Sequence, residues 1–159
     1  MKHTISILCD DIPGVMTRIS GLFSRRGFNI ESLTVGHTER PGKSRFTIVV
    51  EGDDGVLEQV RKQLQKLVHV IKVWDLDHER ILEREHALVK VEVHASDRAN
   101  LLQMITVLQA RILNSSGAIW VLEITGDSKA VDSAINLLSQ FNIVESIRTG
   151  KIALEQGRK

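Results

Sequence analysis

SILCDDIPGVMTRISGLFSRRGFNIESLTV, Ser6–Val35, reads as strand, tight turn, amphipathic helix, glycine stop and second strand. His3 to Leu8 is a short β-prone run, which the turn residues Asp10, Asp11, Pro13 and Gly14 bring to an end. Past the turn, Val15, Ile19, Leu22 and Phe23 recur at i, i+4, i+7 and i+8, one face of a helix, while Thr17, Arg18, Ser24 and Arg25 point elsewhere. Gly27 stops that helix just after two arginines, which suit the negative end of the helix dipole. The helix N-terminus follows the Pro-Gly turn at once, so its free N–H groups and positive dipole can receive a carboxylate or phosphate. On these residues alone the turn reads first as a connection that caps a helix, and second as a candidate ligand site.

Working outward, Asn29 to Glu39 is expected to form the second strand, with Ile30, Leu33 and Val35 apolar and a turn at Arg40 to Lys43 marked by Pro41 and Gly42. Ser44 to Glu51 fills with Ile48, Val49 and Val50, which suits a central, largely buried third strand. Gly52 to Gly55 turns the chain, with Asp53 or Asp54 as N-cap of a helix carrying Leu57, Val60, Leu64, Leu67 and Val68 on one face. Val70 to Leu76 supplies a fourth strand and completes the order βαββαβ.

The charged stretch Asp77 to Glu85, DHERILERE, reads as a connection, after which the element order repeats. Leu88 to Val93 is a strand; Asp97 is the expected N-cap of a helix carrying Leu101, Ile105, Leu108 and Ile112; Ser115 to Gly117 is a turn. Ile119 to Thr125 is a strand, Gly126 and Asp127 open a helix with Val131, Ile135 and Leu138, and Val144 to Ile147 closes the unit. The reading is α+β, two modules of the ferredoxin-like βαββαβ type, followed by a tail from Gly150 on which the sequence is nearly silent. Modules of this size bury limited core, so a partner covering leftover sheet edges and apolar faces is expected.

Composition narrows the function. The chain has 159 residues, 42% hydrophobic and 26% charged, with 21 basic and 20 acidic residues for a formal charge of +1. No strong field would gather nucleic acid or an anionic membrane. Asp10 and Asp11 break the first apolar run before signal-peptide length, and no uncharged run nears the roughly 18 residues of a membrane span, so a cytoplasmic location is expected. Cys9, the sole cysteine, reads as a small core residue. The histidines His3, His37, His69, His78, His86 and His94 are scattered; His86 and His94, eight residues apart on a strand, would stand about 26 Å apart, too far to share a metal. Asp10-Asp11 and Asp53-Asp54 sit beside Gly or Pro as turn and capping residues, not as an acid/base dyad. With no dinucleotide fingerprint, phosphate loop or nucleophile elbow, an independent catalytic site is not expected. RNA-binding modules share the ferredoxin-like arrangement but stack bases on aromatics; this chain has no Tyr and 4% aromatic residues.

GLFSRRGFNIESLTV (Gly21–Val35), preceded by a PGV turn and followed by SRFTIVVEGDDGVLEQVRKQLQKLVHVIKV (Ser44–Val73), is similar to the small regulatory subunits of acetohydroxyacid synthase, also called acetolactate synthase. REHALVKVEV (Arg84–Val93) and IRTG (Ile147–Gly150) take the resemblance up again, while residues 95 to 146 match in pattern only. The resemblance implies an ACT domain over residues 1–77, binding an amino-acid effector and forming a homodimer by side-by-side pairing, and a C-terminal ferredoxin-like regulatory domain over residues 78–159. It implies a non-catalytic subunit that activates a catalytic partner, which converts two pyruvates to 2-acetolactate and CO2. It further implies feedback inhibition by valine or a related branched-chain amino acid. Thiamine diphosphate, FAD and Mg would belong to the catalytic subunit and none to this chain; no nucleic acid or membrane partner is implied. Matched to the family, the effector site comprises Asp11, Pro13, Gly14, Val15, Asn29 and Ile30. Gly14 lies where backbone passes close to the amino acid, Val15 opens the helix facing its carboxylate, and Asn29 and Ile30 reach it from the paired subunit. Asp11 stands where the family usually has Asn. The alternative is a stand-alone amino-acid-sensing module controlling another enzyme or a transcription system, which a helix-turn-helix or long basic helix would favour.

Overall fold

The structure, a computed structural model, describes residues 1–76 and 80–157. In the first half β1 (Lys2–Asp10), α1 (Val15–Arg26), β2 (Ile30–His37), β3 (Lys43–Glu51), α2 (Asp54–Leu64) and β4 (Val70–Leu76) follow in turn. Their strands make one antiparallel sheet in the order β2-β3-β1-β4. The second half repeats the order with β5 (Ile81–Glu92), a 3-10 turn at Ala95–Asp97, α3 (Arg98–Leu108), β6 (Arg111–Ser116), β7 (Ile119–Gly126), α4 (Ser128–Leu138) and β8 (Asn142–Arg148). The sheet order is again second, third, first, fourth: β6-β7-β5-β8. The fold is therefore α+β, with two ferredoxin-like βαββαβ modules.

The chain divides into two compact units, Met1–Leu82 together with the segment from Ile152, and Glu83–Lys151. The boundary expected at residues 77 and 78 lies outside the described residues. The tail from Gly150 contains β9 (Ile152–Glu155), which pairs with β5; Gln156 N–H donates to Arg80 O at 2.7 Å.

In the first unit the expected face of α1, Val15, Ile19, Leu22 and Phe23, is buried with Val60 and Leu64 of α2 against Ile5, Ile7, Cys9, Phe46, Ile48 and Val50. β1 and β3, at the centre of the sheet, are buried along most of their length; the apolar run Ile48–Val50 of β3 fits that place, whereas β1 buries His3, Thr4 and Ser6 between its apolar residues. Cys9 is indeed a core residue: burial, then the charges of Asp10 and Asp11, raise its thiol pKa and keep it protonated. Gly27 adopts φ 69, and the N–H groups of Gly27 and Phe28 close on Ser24 O and Phe23 O at 3.1 and 3.0 Å, a Schellman stop. The expected helix face of Leu57, Val60 and Leu64 holds, but α2 ends at Leu64, so Leu67 and Val68 fall in the turns beyond it and Val68 is 83% exposed.

The second unit departs further from the sequence reading. Ile81–Glu85, read as part of a connection, is the first stretch of the twelve-residue strand β5. Its charges are tolerated because residues far along the chain pair with them. Glu85, 7% exposed, accepts two hydrogen bonds from Arg148 at 2.9 and 2.7 Å, and Lys151 Nζ donates to Glu83 at 2.7 Å. Arg148 also reaches Asp132 of α4 at 2.6 Å, and Glu85 is the main cause of the raised Arg148 pKa. The two sequence anchors REHALVKVEV and IRTG thus meet across β5 and β8.

α3 ends at Leu108, not beyond, because Gln109 turns left-handed at φ 52 and its N–H bonds Thr106 O. Ile112 consequently lies in β6, a strand the sequence reading omitted. Every residue of β6 is exposed at the sheet edge, so it lacks the alternation that marks a strand. Asp97 precedes α3 but makes no capping bond.

Candidate functional site

β1 ends at Asp10, and the chain passes through Asp11, Ile12 and Pro13 to Gly14, whose φ of 87 is the left-handed conformation that glycine adopts without strain. No side chain caps α1, and its first turn holds no acidic residue. α2 differs: Asp53 Oδ1 accepts from Val56 N–H at 2.8 Å. The first N–H groups of α1 thus carry the positive end of the helix dipole with no side-chain acceptor bonded to them. A Cβ on Gly14 would meet no heavy atom within 4 Å.

The turn is pinned on two sides. Asp10 N–H donates to His69 O and Asp11 N–H to Gly42 O, each at 2.9 Å. The Asp10 carboxylate accepts from Lys43 Nζ and lies 3.2 Å from His69 Nδ1; these two hydrogen bonds, Lys43's first, hold its pKa below the ordinary carboxylate range. The Asp11 carboxylate lies 3.2 Å from His37 Nδ1, at the end of β2. His37, His69 and Lys43 were not among the site residues expected from sequence, because the sheet register, not sequence proximity, brings them to the turn.

Of the expected site residues, Asp11, Pro13 and Gly14 are exposed in this turn, while Val15 opens α1 with its side chain buried in the core. Asn29 and Ile30 are elsewhere. Ile30 begins β2 opposite Val50, near the end of β3, whereas Asp10 pairs with Lys43 at its start. The 12 residues of α1, about 18 Å of helix, run between the two places. Within one chain, therefore, Asn29 and Ile30 do not join the Asp11–Val15 turn.

A family model described as AHAS small subunit-like ACT domain matches residues 5–72, and one described as small subunit of acetolactate synthase matches residues 84–157. A probable acetolactate synthase small subunit from Archaeoglobus fulgidus is 49% identical over 159 residues, covering 100% of this chain and 99% of that one. The chain belongs to the acetolactate synthase small subunit family. Another acetolactate synthase small subunit, from Mycobacterium leprae, is 43% identical over 155 residues, covering 98% of this chain and 92% of its own. The crystal structure of the acetolactate synthase small subunit from Thermotoga maritima superposes with a TM-score of 0.92 at 42% identity, covering 100% of this chain and 99% of that one. The first module of this family member is thus an ACT domain, and the turn at Gly14 falls inside it. Among the described residues no helix is long and apolar enough to cross a membrane, and no group of three or more His, Cys, Asp and Glu is arranged to hold a metal.

Proposed function

We propose that this chain is the non-catalytic regulatory subunit of an acetolactate synthase, raising the activity of its catalytic partner and conferring feedback inhibition by valine or a related branched-chain amino acid. The observation that carries this reading is the full-length match, through both modules, to acetolactate synthase small subunits. The effector is a zwitterion whose carboxylate meets the uncapped N-terminus of α1 beside Gly14, where dipole and N–H groups favour an anion. Asn29, able both to donate and to accept, and Ile30 complete the site from a second copy of the chain, since α1 separates them from the turn in their own. A ligand bridging two copies biases their relative placement, and through it the state of the catalytic partner; that coupling is reciprocal. Thiamine diphosphate, FAD and Mg sit in the partner on this reading.

Reconstitution tests it. The chain alone forms no acetolactate from pyruvate; added to its cognate catalytic subunit it raises acetolactate formation several-fold, and valine reverses the gain. Turnover by the chain alone, or a catalytic subunit indifferent to it, would sink the reading.

A further inference from the structure

Ile5, Ile7 and Cys9 of β1 and Phe46, Ile48 and Val50 of β3 pack against α1 and α2, so the alternate residues Thr4, Ser6 and Leu8, and Arg45, Thr47 and Val49, lie on the face of the first sheet turned away from the helices. Val73, also in that core, assigns Lys72 and Trp74 of β4 to the same helix-free face. In register, Ser6 stands between Thr47 and Trp74, and Leu8 between Arg45 and Lys72. Among the described residues, the buried side-chain atoms without a hydrogen-bond partner are Thr4 Oγ1, Ser6 Oγ, Ser32 Oγ and Arg45 Nε. All four belong to this face, Ser32 through its pairing with Val49. Thr4 and Ser6 are fully buried.

Two cations converge there. The Arg45 guanidinium lies 5.1 Å and Lys72 Nζ 4.9 Å from the centre of the Trp74 ring. Either alone would be an ordinary cation–π contact; together they hold like charges close, and among the described residues neither has an ion pair or a hydrogen bond. The nearest carboxylate along β1, Asp10, is already taken by Lys43 and His69. The face is thus rich in donors and short of acceptors, and what it lacks is an anion. We propose that Arg45 and Lys72, beside Trp74, form an oxyanion site for a small phosphate- or carboxylate-bearing ligand. Arg45 offers a planar fork of N–H donors to two oxygens of one anion, and Lys72 adds a point charge. Arg45 is half-buried next to buried hydroxyls while Lys72 is exposed, so the charges are recessed on one side and open on the other, which suits a small anion better than a flat protein surface. The site lies across the sheet from α1 and does not depend on the effector reading at Gly14.

Trp74 is one of two tryptophans, and Trp120→Phe leaves it the sole one in the full-length chain. Titrated at constant ionic strength with inorganic phosphate, and separately with succinate, that chain gives a saturable change in Trp74 emission with at least one of the two. Arg45→Gln weakens this binding at least about tenfold, the scale of a hydrogen bond to a charged group. Lys72→Gln weakens it about threefold, since Lys72 is exposed. Arg45→Lys keeps the charge but loses the fork and falls between wild type and Arg45→Gln, so that a folding defect in Arg45→Gln does not hide the answer. Arg61→Gln, exposed on α2, leaves the affinity unchanged. An unsaturated response to both anions, or an affinity equal in wild type, Arg45→Gln and Arg45→Lys, overturns the proposal. So does an equal loss in Arg61→Gln, which would mark general charge screening. No response to either free anion, with activation of the catalytic subunit lost in Arg45→Lys, would give the face to an acidic segment of that partner and overturn the small-ligand site.

Discussion

The two βα connections that follow β1 and β5 occupy the same place in the same topology, yet they are chemically unlike. Before α1 the chain turns through two aspartates and a left-handed Gly14, with His37, His69 and Lys43 drawn in around them. Before α3 it passes through a 3-10 turn into Arg98, a cation at the positive end of the helix, which donates instead to Gly117 O at 3.1 Å. Neither helix is capped by a side chain, whereas their partners α2 and α4 are both capped, by Asp53 and Asp127. Topology therefore sets where an uncapped helix end will be; the local charges decide whether an anion can use it. The second unit spends its charge elsewhere, in the ion pairs of Glu85 and Glu83 with Arg148 and Lys151.

The hardest test of that division is Arg148→Met. Glu85 would remain buried without its cation, and such a loss costs about 3 kcal/mol, toward the lower end for buried pairs because Arg148 itself is partly exposed. Chemical denaturation should register it, and Glu85→Leu combined with Arg148→Met should recover most of it. Valine affinity, measured well below the melting transition, should not move; if it falls with stability, the two units are not the separate chemistries described above.

Gly14→Asp acts on the other side of the comparison. A side chain at φ 87 costs about 1 to 2 kcal/mol in local strain, and its charge adds repulsion where an anion must approach. Valine affinity should fall at least about tenfold with activation of the catalytic subunit largely retained, whereas Ser96→Asp, in the corresponding connection of the second unit, should leave affinity unchanged. Calorimetry and reconstituted activity separate the two effects.

The same contrast governs what the sequence reveals. α1 is legible because Val15, Ile19, Leu22 and Phe23 all face one core and because Gly27 announces its end. α3 is less so: Gln109 does glycine's work, and the helix runs on in a sequence reading to Ile112. β6 is invisible since an edge strand exposed on both faces has no apolar alternation, and the opening of β5 resembles a linker because the partners of its charges lie more than 60 residues away. At the site, the turn residues Asp11, Pro13 and Gly14 announce themselves by type. His37 and His69 do not, for only the register of the sheet sets them beside Asp11 and Asp10.

Gln109 offers a finer test. It bears the left-handed conformation that Gly27 bears at the end of α1, without glycine's freedom. Gln109→Gly should stabilise the chain by about 1 kcal/mol, and Gly27→Ala should destabilise it by about as much. Equal responses of opposite sign would show that the two helix stops are the same device with different residues; no gain from Gln109→Gly would mean that its side chain contributes packing worth the strain.

The smallest effect bears most directly on the ligand. A carboxamide at position 11 can donate to the effector carboxylate, whereas the ionised Asp11 only accepts, so Asp11→Asn removes a repulsion and adds a donor. The gain would be on the order of 1 kcal/mol, or about fivefold in valine affinity. Titrations with valine, leucine and isoleucine decide between two geometries. Tighter binding of the branched-chain ligand by Asp11→Asn puts the effector carboxylate at this turn. Weaker binding of all three would put the ammonium there, with Asp11 as its partner, and would reverse the orientation of the ligand along α1.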